Sequence, residues 1–299
     1  MSTNPILVGY DGSRYAEAAL QWAVAEAARR GVPVRLVYVY EWATTVVPVP
    51  AGSGWPDPAV RRETATTIDA IVARVRAAHP EVAVQGTVVD GNVVSCLRRL
   101  SEQARLVVLG DRGLGGFTGL LAGSVAVGVA AHATCPVVVV RGCAPRSQPV
   151  VVGVDESPDS DHAVGFAFEQ AAARGVGLVA VRAWQPPPVL RRSDSRPLPY
   201  DINELEAAQR RLAGQALHGW QDKHPEVVVT VRLMPSTAAH ALIAASTDAQ
   251  LVVVGSRGRG GFHGLLLGSV ARQLIHHAHC PVAVVRDTAA VERREETGG

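Results

Sequence analysis

The chain has 299 residues, of which 47% are hydrophobic and 19% charged, with a formal net charge of +2. That length suits two domains of about 150 residues, each able to bury its own core, and the composition excludes a disordered chain. The small net charge argues against nucleic acid as the main partner. No apolar run reaches the ~18–20 residues of a membrane span, and the start, Met1-Ser2-Thr3-Asn4-Pro5, lacks the build of a signal peptide; a cytoplasmic protein is expected.

Residues 6–10 are a short apolar run ending at Asp11-Gly12-Ser13, the pattern of a strand, a turn and a helix cap. A helix is predicted over 14–30, stopping at Gly31, and a second strand over 34–40. Residues 41–58, rich in Pro, Gly and Val, read as a loop over the strand ends. A helix over 59–78 stops at His79-Pro80; a strand at 82–89, a helix at 93–104 and a strand at 106–110 follow. After a glycine-rich loop come a small-residue helix over 124–132 and a fifth strand over 136–141.

The second half repeats the order. Strand 150–155 ends in Asp155, then come helix 163–174, strand 178–183 and a Pro- and Arg-rich loop at 185–200. Helix 202–223 again stops at His-Pro, here His224-Pro225, and strand 227–233, helix 238–246, strand 251–255, helix 269–277 and strand 281–286 complete the set. The boundaries follow: domains at 1–142 and 149–287, a linker at 143–148, and a charged tail at 288–299 expected to be disordered. Strands that alternate with helices and are apolar throughout predict an α/β fold with two repeated, doubly wound parallel-sheet domains. Ligands in such sheets sit beyond the carboxyl ends of the strands, where the winding reverses. If the first and fourth strands are neighbours, the loops after them meet there.

The fourth-strand loop carries the chemistry. Leu106-Val107-Val108-Leu109-Gly110-Asp111-Arg112-Gly113 is followed by nine residues and Gly123-Ser124-Val125. Leu251-Val252-Val253-Val254-Gly255-Ser256-Arg257-Gly258 is followed by nine and Gly268-Ser269-Val270, a constant offset of 145. A strand, a glycine-rich loop and a Ser-started helix make an anion site: glycines let the backbone approach, and loop and helix N–H groups face a phosphate. Ser124 and Ser269 are expected to cap their helices, and Arg112 and Arg257 to pair with phosphate oxygens. No acidic residue lies between Arg112 and Asp155 or between Arg257 and Asp287. Asp11 and Asp155, beside each loop, are placed to accept from a ribose hydroxyl or an exocyclic amine, or to hold a divalent cation. Val39 and Ala183, ending the second strands, are candidates to contact a base.

Other chemistries fit less well. Lys223 is the sole lysine, so no P-loop can be written. Gly113-x-Gly115-x-x-x-Gly119 imitates a dinucleotide fingerprint but follows the fourth strand and has no ribose-binding acid behind it. Cys96, Cys135, Cys143 and Cys280 form no Cys-x-x-Cys pair and read as buried free thiols. His276, His277, His279 and Cys280 imitate a metal cluster, but they fall where a helix C-terminus favours positive charge, and no metal ligands are assigned. No catalytic constellation is found: neither Gly-x-Ser-x-Gly nor His-Glu-x-x-His occurs.

The motif Gly-x2-Gly-x9-Gly-Ser after the fourth strand resembles the universal stress protein family, and more closely its tandem-domain actinobacterial members. Val8-Gly9-Tyr10-Asp11-Gly12-Ser13 and Cys135-Pro136-Val137-Val138-Val139 carry the same resemblance, which covers 4–142 and 148–287. It implies an adenine nucleotide alpha hydrolase-like fold, with a five-stranded parallel sheet in the order 3-2-1-4-5. It implies ATP at the ends of strands one and four, with Mg2+ or Mn2+ on the phosphates. By that resemblance Asp11 and Val39 meet adenine and ribose, Gly110, Arg112, Gly113, Gly123, Ser124 and Val125 line the phosphates, and Gly9 and Tyr10 belong to the same nucleotide site. In the second half the corresponding residues are Gly153, Val154, Asp155, Ala183, Gly255, Arg257, Gly258, Gly268, Ser269 and Val270. The implied function is ATP-dependent signalling in stress response or growth regulation, with at most weak ATPase activity and a homodimer formed through edge strands. A slow ATPase or nucleotidyl-transferring enzyme of related fold, and a nucleotide-independent dimerisation scaffold, are the alternatives. The turns before the third helices differ, Asp90-Gly91-Asn92 against Pro235-Ser236, so two sites of unequal affinity are expected.

Overall fold

The structure is a computed structural model that describes residues 4–41, 58–114, 123–142, 147–185, 201–259 and 266–287. The chain divides into two compact units, the first reaching Arg141 and the second running from Gly142 to Asp287. The expected 41–58 and 185–200 loops, most of the linker and the tail at 288–299 lie wholly or mainly outside the described residues.

In the first unit the elements run β1 (Ile6–Gly9), α1 (Arg14–Arg30), β2 (Val34–Tyr40), α2 (Pro58–Ala78) and β3 (Val84–Asp90). They continue with α3 (Val93–Ser101), β4 (Leu106–Gly110), α4 (Ser124–His132) and β5 (Val137–Val140). The sheet order is β3-β2-β1-β4-β5, with every recorded pair parallel. β1 is central: Ile6 sits opposite Val34 on one side and Leu106 on the other. Its residues Ile6, Leu7 and Val8 are at most 1% exposed, which is why the strand reads as an unbroken apolar run rather than an alternating one. The chain moves from β1 to β2 and β3 in one direction, and from β4 to β5 in the other. Right-handed crossovers therefore lay two helices on each face, and α3 packs beside α4 as this requires.

The second unit repeats the plan with β6 (Val150–Gly153), α5 (Pro158–Arg174), β7 (Leu178–Ala183), α6 (Ile202–Lys223) and β8 (Val229–Met234). α7 (Ala238–Ala245), β9 (Leu251–Gly255), α8 (Ser269–His277) and β10 (Val282–Val285) follow, and a short 3-10 turn, Ser246–Asp248, joins α7 to β9. The sheet order is β8-β7-β6-β9-β10, again 3-2-1-4-5 and parallel. Most boundaries agree with the sequence reading to within three residues. The exception is α5, which starts five residues before the expected Ala163. Ser157 caps it through Ser160 N–H and Pro158 opens it, since a proline at the first helical position has no N–H to lose.

Candidate functional site

The first glycine loop leaves β4 at Gly110, and its far end is tied back to its start: Gly123 N–H donates to Asp111 O at 2.8 Å. The second loop closes identically, from Gly268 N–H to Ser256 O at 2.8 Å. Residues 115–122 and 260–265, between these pins, lie outside the described residues. The expectation that Ser124 and Ser269 cap their helices is not met. The cap position belongs to Gly123 and Gly268, in extended conformation, and each serine is the exposed first residue of its helix. With no side chain at the cap, the first N–H groups of α4 and α8 have no side-chain cap acceptor among the described residues. Every other described α-helix with a recorded cap is closed by a side chain: Ser13, Asn92, Ser157, Asp201 and Thr237. The two uncapped helices are those behind the glycine loops, where orphan donors and the positive end of the helix dipole add.

The loops after the first and fourth strands of each unit do meet. Asp11 accepts from Ser13 N–H at 2.9 Å through one oxygen and from Leu114 N–H at 2.9 Å through the other. Asp155 accepts from Ser157 N–H at 2.9 Å and from Arg259 N–H at 3.2 Å. These aspartates are clasps between two loops, which the sequence reading did not foresee. The glycines divide by role. A Cβ on Gly110 would fall 2.6 Å from the carbonyl carbon of Tyr15, and one on Gly255 would fall 2.9 Å from that of Asp159. These two let the first helix of each unit cross the strand end. A Cβ on Gly113 would fall 2.6 Å from Asp11 Oδ2, and one on Gly258 would fall 2.8 Å from Asp155 Oδ2. That pair makes room for the clasp.

The arginines differ between units. Exposed Arg112 lies over the Tyr15 ring, 5.7 Å from its centroid, with Nη1 3.5 Å from the phenol oxygen. Arg257 instead meets Asp159, its backbone N–H donating at 3.0 Å and its Nε at 3.4 Å to one carboxylate oxygen. Ser256 Oγ donates to the same oxygen at 2.7 Å, and Asp287 N–H donates to the other at 3.2 Å. Asp159 is 4% exposed, so the second loop rests on a buried, fully engaged carboxylate where the first rests on an aromatic ring. Ser256 has Asp111 as its counterpart; burial pushes the Asp111 carboxyl up, and its Oδ1 has no hydrogen-bond partner among the described residues. Tyr15 and Asp159 were missed by sequence reasoning. The available signal was their position four residues after Asp11 and Asp155, in the first turn of the helix.

The remaining expected residues stand around the same strand ends. Gly9 and Gly153 end β1 and β6, and buried Val154 donates its N–H to Val181 O at 2.9 Å. Tyr10 Oη donates to Glu17 at 3.2 Å, an acceptor that Arg74 also grips at 2.9 Å to each oxygen. Half-buried Val39 lies next to the end of β2, and Ala183 is the last residue of β7. Val125 and Val270 are the second residues of α4 and α8. Among the described residues no three His, Cys, Asp or Glu side chains gather as metal ligands, and no helix is long and apolar enough to cross a membrane.

The model of the universal stress protein family matches residues 3–141 and again 147–286. A universal stress protein of Mycobacterium tuberculosis is 38% identical, the match covering 94% of each chain. The crystal structure of a universal stress protein from Archaeoglobus fulgidus superposes with a TM-score of 0.70 at 20% identity, covering 96% of this chain and 99% of that one, and shows the shared fold. A universal stress protein crystallised with cAMP matches 47% of this chain at 27% identity and a TM-score of 0.34. Two family matches that together span nearly the whole chain, and a relative of similar sequence over most of its length, lead to one conclusion: this chain belongs to the universal stress protein family, as a tandem of two domains.

Proposed function

We propose that the chain is an ATP-binding regulatory protein, acting in stress response or growth regulation through nucleotide-dependent changes in conformation or partner. The observation that carries this reading is the pair of uncapped helix starts. Where every other described α-helix with a recorded cap is closed by a side chain, two are left open behind a pinned glycine loop and beside an arginine and a clasping aspartate. The phosphates would take the N–H groups at Gly123–Val125 and Gly268–Val270, with Arg112 and Arg257 at the rim. Adenine and ribose would lie beyond the carboxyl ends of the strands, toward Val39 on β2 and Ala183 on β7. The donor set fits phosphate. A dedicated cation cage is not what Asp11 and Asp155 offer, because both carboxylates already hold loop N–H groups; Mg2+ or Mn2+ would ride on the phosphates.

The test is calorimetric titration of the full chain with ATP and Mg2+, repeated on the Gly113→Ala/Gly258→Ala double variant. Binding lost in the variant is the expected result, and undiminished binding would refute the reading. Incubation with labelled ATP separates a regulator, which returns it intact, from a slow ATPase, which releases ADP. The expected homodimer rests on family resemblance alone, and light scattering with and without ATP gives the mass.

A further inference from the structure

Aligning the two units by their repeat offsets exposes a charged triple with no counterpart. Glu156 stands where the first unit has Gly12, Arg182 where it has Tyr38, and Arg259 where it has Leu114. The three come from separate segments: the loop after β6, the penultimate position of β7, and the loop after β9. Their side chains meet. Glu156 accepts from Arg182 through one carboxylate oxygen and from Arg259 through the other. Arg182 is 3% exposed and anchored from behind, its Nε donating to Gln209 Oε1 on α6 at 2.8 Å. Because β6 lies between β7 and β9, this Arg–Glu–Arg strap runs across the carboxyl ends of all three strands. That is the crevice where the nucleotide of the proposed function would lie.

We propose that Glu156 determines the difference between the two sites. It straps the second crevice shut, so that the first unit takes the nucleotide at lower concentration and the second admits it only when the strap opens. The inference rests on the nucleotide reading and deepens it. In the second unit the half-buried Arg257 and the exposed Arg259, both placed to meet phosphate, are already committed, Arg259 to Glu156 and Arg257 to Asp159. In the first unit Arg112 leans on the Tyr15 phenol, and Gly12 has open space where its Cβ would be, so among the described residues no carboxylate stands at the position of Glu156 and no strap crosses the strand ends. A nucleotide entering the second unit must break a charge-assisted contact before it gains one, and it meets the Glu156 carboxylate on the way.

The test uses the full chain, titrated with ATP and Mg2+ by calorimetry, with thermal melting as the check on folding. Gly258→Ala isolates the first site and Gly113→Ala the second. Tight binding is expected to survive in the former and to leave only a weaker step in the latter. Adding Glu156→Gln to Gly113→Ala should strengthen that step about tenfold, the scale of one hydrogen bond to a charged group. Arg259→Leu, which installs the first unit's residue, should also strengthen it; a loss there would show that Arg259 binds phosphate and overturn the strap. Two steps of equal affinity that ignore Glu156→Gln would overturn the strap while leaving the nucleotide reading intact. No ATP binding by any of these folded proteins would overturn the nucleotide reading, and the strap with it.

Discussion

Replacing Gly110 by alanine places a methyl carbon 2.6 Å from the Tyr15 carbonyl carbon and 2.7 Å from its oxygen. Contact between such atoms is comfortable at about 3.5 Å, so the new group intrudes by roughly 1 Å. Backbone sits on both sides, at the end of β4 and in the first turn of α1, and neither can swing away as a side chain can. The cost is that of overpacking, about 1–3 kcal/mol, with the upper end favoured because no rotamer relieves it. In Gly113→Ala the obstacle is Asp11 Oδ2, also 2.6 Å away, but this is the free end of a side chain. Asp11 can rotate, at the loss of its 2.9 Å bond from Leu114 N–H, an exposed contact contributing on the order of 1 kcal/mol. The two variants should therefore separate. Gly110→Ala should lower the urea midpoint more than Gly113→Ala, by at least about 1 kcal/mol in ΔG at unchanged m-value. Gly113→Ala should have the larger effect on ATP affinity than its stability loss accounts for. Equal, near-native midpoints for both would refute the division of the loop into a packing glycine and a clasp glycine.

The cap assignment gives a second contrast. Ser13→Ala should cost about 1 kcal/mol, because Ser13 Oγ accepts from Ala16 N–H at 3.1 Å, whereas Ser124→Ala should stay within about 0.5 kcal/mol by denaturant unfolding. Burial pushes the Cys135 thiol up to about 12, so at pH 8 only about one molecule in ten thousand carries the thiolate; native protein should leave Cys135 unlabelled by a thiol reagent that modifies it in urea. Burial pushes the Glu17 carboxyl up, but hydrogen bonds from Gln21 and Arg74 outweigh it, and the group ends below its ordinary value. A carboxyl depressed in the folded state stabilises the fold above the ordinary range and loses that contribution as pH falls through the folded value. The stability gap between wild type and Glu17→Gln should therefore be full at pH 7 and close in acid; a gap that persists at pH 2 would count against the Arg74–Glu17 pair as its source.

What the sequence made legible was whatever depends on one segment at a time. Apolar strands without alternation announced parallel sheets, and a motif doubled at constant spacing announced two equivalent loops, because each is written in consecutive residues. The cap was misplaced for a local reason: Gly and Ser both favour that position, so Gly123-Ser124 and Gly268-Ser269 do not say which of the two is outside the helix. The site's side-chain partners were hidden for a different reason. Arg182 lies 26 residues beyond Glu156 and Arg259 a further 77, in strand or loop contexts where an arginine is ordinarily a solvated side chain. Only the strand order β7-β6-β9 makes them neighbours. The same holds for Asp159 beneath Arg257: an acidic residue in the first turn of a helix is unremarkable until that helix crosses the end of β9. Once two halves are aligned, a glycine, a tyrosine and a leucine that all become charged at matching positions are three substitutions that make sense only together. A pair of charges of opposite sign arising in separate segments of one copy implies that those segments touch. Divergence inside a tandem repeat therefore carries contact information that neither copy holds alone.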